Sequence, residues 1–135
     1  MTIVGSVDTN VLVRHLVKDD ERQSAIVAKV FEGICQRAEC LLVPISVMLE
    51  FEWVLRSRYR FPKAEVIRAM SALLETWELV FESEWALEQA LAHYEEGGAD
   101  FAEYLHLALA RKQQALPFLT FDVKASKASG ARLLA

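Results

Sequence analysis

Short apolar runs alternate with stretches of helical periodicity along almost the whole chain, and that alternation leaves few folds open. Residues 3–7, 39–43, 77–81 and 117–122 are short and mostly apolar, as strands buried on both faces should be. Between and after them, residues recur at helical spacing: Val11, Leu12, His15 and Leu16, then Ala25, Ile26, Val27, Val30, Phe31 and Ile34. The same holds for residues 45–58, for Val66, Ile67, Met70, Leu73 and Leu74, for Trp85, Leu87, Ala90, Leu91 and Tyr94, and for a helix opening near Ala99 and running to about Gln113. Polar residues 18–22, Pro44, Phe61-Pro62 and Gly97-Gly98 punctuate the pattern, and Ser46 is placed to cap the third helix. Residues 131–134 read as a last edge strand. Strands alternating with helices imply an α/β fold: a parallel sheet covered on both faces, with right-handed crossovers.

A length of 135 residues is expected to form one domain, 1–135, with a proper core. At 53% hydrophobic and 25% charged residues, the composition excludes disorder. No apolar run reaches the length of a membrane span, and the amino terminus lacks a signal-peptide pattern, so no membrane association and a cytoplasmic location are expected. Cys35 and Cys40 have no His nearby at ligand spacing, so they read as reduced packing thiols rather than a zinc site. His15, His93 and His106 are scattered and give no support to a histidine-led site. The net charge of −4 argues against non-specific wrapping of nucleic acid, which needs clustered cations. It leaves room for a nucleic acid substrate, because Arg56, Arg58, Arg60 and Lys63 form a local basic segment interleaved with Tyr59 and Phe61. That segment is equally a solvated helix end.

Carboxylates recur at corresponding places. Asp8 stands at the end of the first strand, where open α/β sheets place ligand chemistry, and it is equally suited to cap the helix that follows. Glu52 has Arg56 four residues on, a surface ion pair in expectation; Glu50 is flanked at helical spacing by Val47, Trp53 and Val54, which makes it the site candidate. Asp100 and Glu103 share a helix face and also resemble a capping box. Asp122 ends the fourth strand as Asp8 ends the first, with Thr120 beside it as Thr9 is beside Asp8. Parallel strands bring such ends to one sheet edge, where four or five carboxylates would repel one another unless a divalent cation neutralised them. Hard oxygen donors favour Mg²⁺ or Mn²⁺. Such a site suits phosphodiester hydrolysis with no histidine base. Thr9, Asn10 and Thr120 are placed to orient water or a ligand carboxylate.

Asp8-Thr9-Asn10, Glu50 within Leu49-Glu50-Phe51-Glu52-Trp53-Val54-Leu55, Gly98-Ala99-Asp100-Phe101-Ala102-Glu103 and Thr120-Phe121-Asp122 together resemble PIN-domain nucleases. More narrowly, their order and spacing are similar to the VapC toxins of bacterial type II toxin–antitoxin modules. The resemblance covers essentially the whole chain. It implies a PIN-like three-layer α/β/α fold with a central, mostly parallel sheet, and a Mg²⁺- or Mn²⁺-dependent endoribonuclease. It also implies a homodimer inhibited by a VapB-like antitoxin. Asp8, Glu50 and Asp122 match three family acids. The remaining one is usually Asp where this chain has Glu103, which leaves Asp100 or Glu103 as the nearer metal ligand. That departure is the support for an alternative, a PIN-like module that binds nucleic acid or protein without cutting. A phosphotransferase using Asp8 as nucleophile ranks below both, since it would want a second Asp where Asn10 stands.

Overall fold

Every run read as a strand is a strand in the computed structural model, which describes residues 1–135. The chain divides into two compact units, Met1–Glu82 and Ser83–Ala135.

The first unit runs β1 (Thr2–Ser6), α1 (Thr9–Leu16), α2 (Glu21–Gln36), β2 (Glu39–Val43), α3 (Ile45–Ser57), α4 (Lys63–Leu74) and β3 (Leu79–Phe81). Its strands form one parallel sheet in the order β1-β2-β3, with Thr2 opposite Glu39 and Leu41 opposite Leu79. Parallel neighbours cannot be joined by a tight turn, so each pair is separated by helices. Helix α2 packs on β2 and α4 on β3, while α1 packs against α2 and α3. The fully buried residues are Leu12, Val13, Val43, Met48, Phe51, Leu55, Val66, Met70 and Leu73. They come from the inward stripes of the helices and from the central strand.

Four local expectations are corrected here. Strand β1 is exposed along its whole length, and only Val7 beyond it is buried. The helices cover β2 and β3, and β1 is an edge strand paired with β2 alone, so its β-branched residues serve pairing rather than core. Helix α2 takes in Glu21 and Arg22 from the expected polar break, because Asp20 Oδ1 accepts from the Gln23 N–H at 2.9 Å and caps it. Ser46 does not cap α3; the first free amide, on Ile45, donates instead to Glu82 Oε1 at 2.8 Å. The two glutamates of α3 exchange surroundings: Glu50 is exposed, whereas Glu52 is 3% exposed and ion-paired to Arg56 at 2.8 Å. Met48, Glu52 and Leu55 fall at i, i+4 and i+7, so Glu52 lies in the middle of the buried stripe.

His15, on the inner side of α1, is half-buried and stacked on Phe31 with ring centroids 4.3 Å apart. Burial pushes its pKa below the ordinary 6.5; Glu78 opposes this and Lys18 adds to it. The unfolded chain therefore takes up this proton at a higher pH than the folded one. His15 contributes to stability fully above 6.5, and that contribution falls as the pH drops toward the lower folded value. Urea unfolding from about pH 8 down to about pH 5 should show this loss, and His15→Phe should flatten its share of the slope. An unchanged slope in the variant would place the acid sensitivity elsewhere.

The second unit runs α5 (Glu84–Glu96), α6 (Phe101–Lys112), β4 (Phe118–Thr120), a short 3₁₀ helix (Ala125–Lys127) and β5 (Ala131–Leu133). Helices α5 and α6 pack together through Ala86, Leu87, Ala90, Phe101, Leu105 and Ala108, and the Tyr94 ring meets Phe101 edge-on at 5.7 Å. Strands β4 and β5 pair in parallel, Phe118 opposite Ala131. Gly97 ends α5 for want of space rather than for backbone freedom. Its φ is −99°, but a Cβ there would lie 1.9 Å from the Tyr104 hydroxyl. Gly130, by contrast, has φ +92°, which disfavours any other residue. The free thiols divide likewise, with Cys40 buried in β2 and Cys35 exposed on α2 rather than packed.

Candidate active site

In the first unit the site grows from the end of β1. The Val7 N–H donates to the Leu42 carbonyl at 3.0 Å, extending the β1–β2 pairing up to Asp8. Because the strands are parallel, the helices that follow β1 and β2 start at the same edge. This brings α1 and α3 together there. Asp8 is the N-cap of α1, with Oδ1 accepting from the Val11 N–H at 3.1 Å, so the capping role is real. It uses one carboxylate oxygen and leaves Oδ2. Thr9, only 5% exposed, donates its hydroxyl to Glu50 Oε1, joining residues far apart in sequence and setting Glu50 beside the Asp8 turn.

Asp8 and Asn10 line a pocket of about 300 Å³ together with Arg14 and Arg22. Arg14 is held by three acceptors, Gln23 at 2.6 Å, Asp19 at 2.9 Å and the Tyr59 hydroxyl at 3.1 Å. The Tyr59 hydrogen bond raises its pKa most, burial opposes this less strongly, and the Asp19 charge adds a smaller rise, so the guanidinium stays a cation. Neither arginine stands out in the sequence. Only the one-turn spacing from Asn10 to Arg14 hints at a shared face, and Arg22 arrives from the next helix. Of the basic segment, Arg56 is engaged by Glu52 and Tyr59 donates to Asp19 at 2.9 Å, while Arg58 and Arg60 are exposed and Lys63 begins α4.

In the second unit Asp100 is the N-cap residue of α6, yet its side chain makes no capping hydrogen bond. The Glu103 amide donates to the Asp100 carbonyl at 3.0 Å instead. The capping box suggested by the sequence does not form, and the Asp100 carboxylate is not consumed by the helix. Glu103 lies on the first turn, partly buried. Asp122 follows β4. Its N–H donates to Thr120 Oγ1 at 2.9 Å, and its Oδ1 accepts from the Ala125 N–H at 2.8 Å, capping the 3₁₀ helix and leaving Oδ2. The segments bearing Asp100 and Asp122 touch: a Cβ on Gly98 would sit 3.4 Å from the Lys124 side chain.

Neither unit by itself gathers three His, Cys, Asp or Glu side chains into a metal cluster. The donor chemistry nonetheless fits a hard divalent cation. Asp8, Glu50 and Asp122 each keep one carboxylate oxygen outside the hydrogen bonds described, and Asp100 is released from capping.

Parallel strands with helices between them define an α/β protein, and an aspartate follows β1 and β4. The sequence profile of the PIN domain family matches residues 6–131, and the chain belongs to that family, whose fold is of nuclease type. The matched span contains all five acids. A search of curated proteins gives no match. No helix is long and apolar enough to cross a membrane.

Proposed function

We propose that this chain is a Mg²⁺- or Mn²⁺-dependent endoribonuclease, the toxin of a VapBC-type toxin–antitoxin module. The observation that carries the reading is the hydrogen bond from buried Thr9 to exposed Glu50 beside Asp8. A glutamate kept only for solubility has no need of a buried hydroxyl to orient it, whereas a ligand carboxylate does.

Asp8, Glu50, Glu103 and Asp122 are the proposed catalytic acids, and Asp100 joins them as a metal ligand. A bound cation would polarise the phosphoryl oxygen and lower the pKa of its water. Thr9 holds Glu50, Thr120 fixes the backbone at Asp122, and Asn10 faces the pocket beside Asp8. Arg58, Arg60 and Lys63, with Arg22, are suited to RNA phosphates; Arg56 and Arg14 are less so because Glu52 and Asp19 engage them. A VapB-like antitoxin, a homodimer and a cytoplasmic location belong to the same proposal.

The test is cleavage of a labelled structured RNA by the purified protein with Mn²⁺ and with EDTA. Cutting is expected with Mn²⁺, and EDTA should abolish it. Failure to cut varied RNAs, together with no heat of Mn²⁺ binding by calorimetry, would favour a PIN-like module that binds without cutting.

A further inference from the structure

The second unit contains a pocket of about 390 Å³ that the acidic residues do not explain. Its walls are the end of α5, the Gly97-Gly98 turn and the segment after Asp122, and its cations are Lys124 and Lys127. One carboxylate, Glu96, also lines it, so the two lysines leave an excess of positive charge. His93 lines it as well. Its Nδ1 is fully buried and has no partner in the protein. The Gly-Gly turn keeps the wall low. At Gly97 the Tyr104 hydroxyl occupies the place of a side chain, and at Gly98 the stem of Lys124 lies against the backbone. The Tyr104 hydroxyl accepts from the Ala99 N–H at 3.2 Å, which holds the turn in place.

These features match one chemistry. Two ammonium groups beside a close-approach backbone suit a tetrahedral oxyanion. Gly98 is two residues before Asp100, and Lys124 is two residues after Asp122. Two residues span at most about 7 Å, so both acids lie just outside the pocket wall. We propose that this pocket binds a phosphate of the RNA strand neighbouring the one that is cut, with Lys124 and Lys127 neutralising it and the His93 ring in the pocket wall. The assignment to RNA rests on the ribonuclease reading above; the anion chemistry does not.

The experiment measures binding of a labelled single-stranded RNA by fluorescence anisotropy in EDTA across a series of KCl concentrations. It compares the unaltered protein, the double variant Lys124→Met/Lys127→Met and a control, Lys112→Met, outside the pocket. Methionine keeps the Lys124 stem against Gly98, so melting temperatures should agree. In parallel, inorganic phosphate is titrated while the His93 ring resonances are followed by NMR. The double variant should lose about 0.7 of the slope of log K against log salt, the share of one strand phosphate. Its affinity should fall about tenfold, the control should match the unaltered protein, and phosphate should shift His93 only where both lysines are present.

A double variant with unaltered slope overturns the proposal, and if that variant still cuts RNA with Mn²⁺ the nuclease reading survives intact. A His93 shift with phosphate but no change in RNA binding also overturns it, leaving a small-anion site off the strand. An unaltered slope together with loss of binding to an acidic peptide would reassign the pocket to a protein partner. An unaltered protein that binds no RNA at all overturns both the strand assignment and the reading on which it rests.

Discussion

Asp8→Asn should lower RNA cleavage by about a thousandfold while leaving the fold in place. Asparagine at this position keeps an oxygen for the Val11 N–H, and the two residue types are near-equal as N-caps, so the first turn of α1 survives. What is lost is the negative charge. Its interaction with the helix dipole is worth about 0.3–1 kcal/mol, a small change in stability. The loss to chemistry is larger. A metal contributes several kcal/mol of charge stabilisation in the transition state, so losing an anionic ligand should lower the rate by about a thousandfold. Asp8→Ala would remove cap and charge together and could not separate them. The measurement is single-turnover cleavage beside a thermal melt. A variant that melts early and still cuts would make Asp8 a cap and nothing more.

Phe51→Ala should cost about 3–5 kcal/mol of stability, the usual range for an aromatic side chain deleted from a closed core. Phe51 is fully buried on the inner face of α3, the helix that also presents Glu50. Trp53, two residues on, is 49% exposed, and Trp53→Ala should change stability by no more than about 0.5 kcal/mol. Urea unfolding of the two variants reads the rotation of α3 directly. Equal costs would mean that α3 faces the core differently, and the exposure of Glu50 would then need another explanation. The contrast matters because residue size alone would rank the tryptophan as the more important core residue.

Helix α3 also shows where reading a sequence stops. Glu50 and Glu52 each have apolar neighbours three and four residues away, so local spacing does not separate them. The signal that could have done so was the stripe Met48-Phe51-Glu52-Leu55, which passes through the second glutamate. Glu52 tolerates burial because Arg56 sits one turn on, a pairing the sequence did show. The acids at strand ends were legible for a different reason. Each stands where a short apolar run meets a helical one, and that junction can be read from the residues on either side. What the acids do there was only half legible. A cap and a ligand use the same residue types, and the choice depends on which carboxylate oxygens the backbone occupies. At Asp8 and Asp122 the cap forms on one oxygen; at Asp100 it does not form.

By itself the sequence determined the order of elements, their parallel pairing and the positions of the acids along the chain. These follow from local periodicity and from the fact that parallel neighbours need a crossover between them. The tertiary structure decided the rest. It left β1 exposed at the sheet edge, buried Glu52 in place of Glu50, tied Thr9 to Glu50 and closed a basic pocket around His93. Each of these depends on which face an element turns toward residues remote in the chain. Burial and hydrogen-bond partners are properties of that packing, and no local window of sequence contains it.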